Sequence, residues 1–129
     1  MPIPITGFYI GLTIVLSIGL GARVGLLRGK TGISILDGGN EELALRVRQH
    51  GNLLETAALT LLAMAAIEIN GASALLLHCL GIAYIAARIV HPIGLKRDSI
   101  SHPLRAIGAG GSTLVMLVAG LIAIWQFLT

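Results

Sequence analysis

The stretch AIGAGGSTLVMLVAGLIAIWQFLT, residues 106–129, contains no Asp, Glu, Lys, Arg or His. A helix needs about 20 apolar residues to cross roughly 30 Å of hydrocarbon, and this run has that length. Toward the N-terminus three more apolar segments appear. One runs from about Ile3 to Leu27, uncharged before Arg23. A second runs from about Asn52 to Ile69, with Glu55 inside it. A third runs from about Ala72 to Leu95, with Arg88 and His91 near its end. The second is short for a span and is expected to begin upstream at Glu41. The breaker and cap Asp37-Gly38-Gly39-Asn40 precedes it. The expectation is an all-α membrane protein with up-down topology. It forms a single four-helix domain over residues 1–129, with helices at about 3–27, 41–69, 72–95 and 104–128.

Composition agrees. Of 129 residues 55% are hydrophobic and 12% charged, the latter about half the usual share, and mean hydropathy is +0.89. A disordered chain needs the opposite balance, and so small a soluble globule could not hide this much apolar surface. The runs are continuous, without the alternation of a membrane β-barrel. The first segment lacks a basic leader and is too long for a signal peptide. The single cysteine, Cys79, excludes a disulfide framework.

The net charge of +3 reads as orientation, with no nucleic-acid partner. The nine basic residues are Arg23, Arg28, Lys30, Arg46, Arg48, Arg88, Lys96, Arg97 and Arg105. All lie at or near the connections between segments one and two or between three and four. The positive-inside rule places those connections in the cytoplasm, with both termini and the Glu68–Gly71 turn on the other side.

The entry to the second segment carries the chemistry: Arg46-Val47-Arg48-Gln49-His50-Gly51-Asn52-Leu53-Leu54-Glu55. On a helix Arg48, Asn52 and Glu55 fall at i, i+4 and i+7 and share a face, with Glu41 at its outer end. His50 points to another side. In segment three Tyr84, Arg88 and His91 repeat that spacing. Arg23 and Arg105 add guanidiniums from helices one and four. Ionisable groups at membrane depth are functional candidates. Guanidiniums bind carboxylates bidentately, and a carboxylate holds an ammonium. A small zwitterion with more than one carboxylate and one amine matches such a cluster. An ion pair of Glu55 with an arginine, neutralising itself without ligand, fits the spacing equally.

Arg28, Lys30, Lys96 and Arg97 read as residues that snorkel to the headgroups. His78, taken as mid-span beside Cys79, reads as a packing or hydrogen-bonding residue. Gly7, Gly11, Ser17, Gly21 and Gly25 have the spacing of small-residue faces for helix contact, or reflect the general tolerance of membrane helices for glycine. No metal-ligand spacing, nucleophilic triad or phosphate loop is present, so no metal is expected.

Four spans with Arg48-Gln-His-Gly-Asn52-Leu-Leu-Glu55 entering helix two resemble the MAPEG superfamily, membrane-associated proteins in eicosanoid and glutathione metabolism. Ala87-Arg88-Ile-Val-His91-Pro-Ile-Gly94 is similar to that family's helix-three stretch, and Asp37-Gly38-Gly39 and Glu68-Ile-Asn-Gly71 resemble its short bacterial members. The resemblance implies a homotrimer in a bacterial inner membrane that uses glutathione as co-substrate. It implies that Arg48, Asn52, Glu55, His50, Arg88, His91 and Arg23 bind the thiol. Arg105, after a one-residue insertion, corresponds to the helix-four arginine that activates it. The implied activity is that of a glutathione transferase or peroxidase acting on lipophilic electrophiles. Leu95 departs from the tyrosine of the eicosanoid enzymes. This favours the alternative, a non-catalytic lipid-binding scaffold of the same fold. A small proton-coupled exporter fits less well, because its essential acid belongs in helix one, where this chain has none.

Overall fold

The structure, a computed structural model, describes residues 2–96 and 102–129. It contains α1 (Pro4–Thr31), α2 (Glu41–Ile69), α3 (Ala74–Gly94) and α4 (Pro103–Leu128), and no strand among the described residues. All four helices are long and apolar enough to cross a membrane. Their lipid-like surface agrees: Val15, Leu26 and Leu62 are each about two-thirds exposed, which suits hydrocarbon and not water.

Local chemistry sets the ends. Asn40 caps α2 by accepting from the Leu43 N–H at 3.0 Å, and Glu41 and Glu42 complement the helix dipole in the first turn. Ser73 caps α3 through the Leu76 N–H, and His102 Nδ1 caps α4 through the Leu104 N–H. The first helix runs past Leu27 to Thr31. It stops where Gly32 adopts φ 70 and its N–H returns to the Arg28 carbonyl. Helix three begins at Ala74, after the Ser73 cap, instead of at residue 72.

No side chain of α1 caps its own start. Glu68, in the last turn of α2, supplies that cap from across the bundle. Its Oε1 accepts from the Ile5 N–H at 2.9 Å and its Oε2 from the Thr6 N–H at 2.7 Å. Two orphan donors are thus satisfied by one carboxylate at the positive end of a helix. At the same end of the bundle Tyr9 Oη lies 3.0 Å from His78 Nδ1.

The core joins all four helices through Tyr9, Ala57, Met64, Ile67, Leu77, Leu80, Tyr84, Val115 and Ala119. Close backbone approach occurs in α3 and α4. A Cβ on Gly81 would meet the Tyr9 ring, one on Gly94 the Leu104–Arg105 backbone, and one on Gly108 the His91 backbone. Of the two readings of the α1 glycines, packing within the protomer is not the one seen. Gly7, Gly11 and Gly25 face open space, while Gly21 touches only His50. His78 and Cys79 lie in the second turn of α3, not at mid-span. The expectation for Arg97 falls outside the described residues.

Candidate functional site

Gln49 fixes how α2 meets α3. Its Nε2 donates to the Pro92 carbonyl at 2.8 Å and to the Leu95 carbonyl at 3.3 Å. The last carbonyls of a helix have no partner within it, and a buried donor from the next helix satisfies them here. Arg48 therefore stands level with the end of α3, and Glu55 lies about 10.5 Å further into the bundle at 1.5 Å per residue.

On that outer face of α2, Arg48 Nη1 donates to Glu55 Oε1 at 2.7 Å, with both side chains more than half exposed. Asn52 lies between them and turns its amide toward the Arg48 carbonyl at 3.4 Å. The shared face is real, and the pair has formed within one helix and not across two.

Behind it, Arg88 is 3% exposed. Its Nη1 donates to the Asn52 carbonyl at 2.9 Å and to Thr56 Oγ1 at 3.3 Å, and its Nη2 donates to the Gly108 carbonyl at 2.9 Å. Thr56 Oγ1 also lies 3.3 Å from the Tyr84 hydroxyl. No carboxylate pairs with Arg88 among the described residues. Its terminal nitrogens donate to main-chain carbonyls of both neighbouring helices, so it links α2 to α4. His91, also 3% exposed, backs onto Gly108 and feels the charges of Arg88, Arg105 and Arg48. Arg105 is half-buried, and its backbone rests against Gly94.

The structure thus gathers Arg48, Asn52, Glu55, Arg88, His91 and Arg105 at one end of the bundle. Two expected residues stand apart within the protomer. His50 faces α1, where its Nε2 lies 3.1 Å from Ser17 Oγ. Arg23 is exposed on α1, where its carbonyl accepts from Arg46 Nη1 at 2.8 Å, and Arg46 also pairs with Glu42. Gln49, Thr56 and Glu68 were missed as site and framework residues. Pro92 was a usable signal for Gln49, because a proline near a helix end marks carbonyls that need an outside donor. Leu95 is buried and brings no polar side chain.

These features define a four-helix integral membrane protein with a polar face on its second helix and basic residues converging beside it. The chain matches the MAPEG family over residues 6–125 and belongs to it. It is 29% identical over 92 residues to "Inner membrane protein YecN" of Escherichia coli (strain K12), covering 71% of this chain and 70% of that protein. The YecN of Escherichia coli O6:H1 matches with the same figures. No solved structure matches.

Proposed function

We propose that this chain binds glutathione, or a similar low-molecular-weight thiol, and stabilises its thiolate for attack on lipophilic electrophiles that arrive from the bilayer. The observation that carries the reading is the exposed Arg48–Glu55 pair with Asn52 beside it. A charge facing lipid costs about 2.5–3.5 kcal/mol at helix-centre depth and less toward the helix end, where Arg48 lies. An ion pair left half-exposed inside the span of α2 therefore calls for protein or a water-filled polar cleft against it. A homotrimer, the assembly that the resemblance implies, supplies such a cover. In this reading the protein lies in the inner membrane with both termini outside the cytoplasm.

The chemistry needs no protein nucleophile. A free thiol with a pKa of about 8.5 is mostly protonated at neutral pH. A guanidinium nearby favours the thiolate, the competent nucleophile. Arg105 is the residue to which the resemblance assigns that task; Arg88 is already engaged by main-chain carbonyls. Arg48, paired with Glu55, holds a carboxylate of the tripeptide, and Asn52 orients the backbone amides. The thiolate sulfur forms a bond to the electrophilic atom, whose leaving group departs or whose π electrons shift. His91 lines the inner wall.

Isothermal titration of detergent-purified protein with glutathione tests this reading. Saturable binding that weakens in Arg48→Met supports it, and absence of binding up to millimolar glutathione overturns it. Leu95 favours a second reading, a lipid-binding scaffold without turnover. That reading predicts apolar-ligand binding and no thiol conjugation of a chlorinated nitrobenzene.

A further inference from the structure

A groove of about 310 Å³ beside Arg48 is lined by Leu36, Asp37, Ala44, Val47, Arg48 and Gly51. It lies between the α1–α2 loop and the face of α2. Its walls carry one cation and one anion that do not pair with each other. Arg48 uses an N–H on Glu55 and retains further guanidinium donors. Asp37 Oδ1 accepts from the Gly39 N–H at 3.0 Å, and no ion pair engages its carboxylate among the described residues.

The loop is built to hold Asp37 there. Leu36 has φ 52 and is the non-glycine residue with positive φ among those described. A bulky L-residue rarely adopts that conformation, and it persists only where surrounding structure imposes it. Gly38 and Gly39 follow at φ 55 and 80, and Ile33 packs under Gly38. Positive φ at Leu36, Gly38 and Gly39 flanks Asp37 on both sides.

Opposite charges on two walls of a small groove complement a group bearing a carboxylate and an ammonium on one carbon. We infer that Asp37 is a specificity-determining residue that receives the α-ammonium of the thiol's amino-acid end, while Arg48 takes its α-carboxylate. Glu55 then serves chiefly to orient Arg48. This inference rests on the thiol reading above and sharpens it: the favoured ligands are thiols with a free α-amino-acid terminus.

The test is isothermal titration of the full-length detergent-purified protein, wild type and Asp37→Asn, with glutathione and with its desamino analogue. Asparagine keeps the oxygen that accepts from Gly39, so the turn is preserved, and a thermal unfolding midpoint within error of wild type verifies this. Wild type is expected to bind glutathione about tenfold more tightly than the analogue, as for one hydrogen bond to a charged group. In Asp37→Asn that ratio is expected to fall to about one, with affinity for the analogue unchanged. Equal binding of the two thiols by wild type, or a preference that survives in Asp37→Asn, overturns the role of Asp37 alone. Failure of wild type to bind either thiol overturns the thiol reading and this inference together.

Discussion

Arg88 on α3 donates to the main-chain carbonyl of Asn52 on α2 at 2.9 Å, and through its other terminal nitrogen to Gly108 on α4. One buried guanidinium therefore sets the depth of the helix that carries Arg48, Asn52 and Glu55 against the helix that carries Arg105. Hydrogen bonds to a charged donor contribute about 1.5–3 kcal/mol. Arg88→Met keeps length and removes both bonds. It is expected to lower the unfolding midpoint in detergent by several degrees, corresponding to about 1–3 kcal/mol. Stability equal to wild type would refute the linking role.

Glu68 provides the cap that α1 lacks in its own sequence. Glu68→Gln keeps one acceptor oxygen and loses both the second and the charge that favours a helix N-terminus. The expected cost is about 1 kcal/mol. Amide exchange at Ile5 and Thr6 should speed up, with the rest of the bundle unaffected. Unchanged exchange at those two amides would show that the cap contributes nothing.

Gly108 and Gly110 form a matched pair of tests. A methyl on Gly108 meets the His91 backbone, whereas one on Gly110 meets nothing within the protomer. Backbone cannot yield as a side-chain tip can, and overpacking costs about 1–3 kcal/mol. Gly108→Ala should reduce the yield of monodisperse protein and its unfolding midpoint, while Gly110→Ala should match wild type in the detergent-solubilised protomer. Equal behaviour of the two would contradict the packing described.

The four helices were legible because each rests on a run of apolar residues, a signal that composition carries alone. Helix ends were less so. Arg28 and Lys30 look like the boundary of an apolar run, yet the helix continues beneath them to Gly32, since lysine and arginine are good helix formers. The Arg48, Asn52 and Glu55 face was readable from helical period. The partners of Gln49 and Glu68 were not, because they depend on which helix ends meet in space. The glycines of α1 left two readings open for a related reason: spacing permits close packing without saying which helix arrives. Gly81 and Gly108, which do accept close neighbours, belong to less regular patterns.

Arg105 is assigned to the thiol itself, and its substitution should separate two effects. Arg105→Ala is expected to lower the thiolate absorbance of bound glutathione at neutral pH more than it weakens glutathione affinity, since a neighbouring cation acts on the charged form. A variant that loses affinity and keeps the thiolate fraction of its bound ligand would place Arg105 among the binding residues only.

The most direct test is calorimetric titration of glutathione into purified wild type and Arg48→Met. Saturable binding to wild type is expected, with at least about a tenfold weaker constant for the variant, the loss expected for a charge-assisted pair. No binding to wild type at millimolar glutathione, or equal binding by both proteins, would contradict the proposed glutathione site.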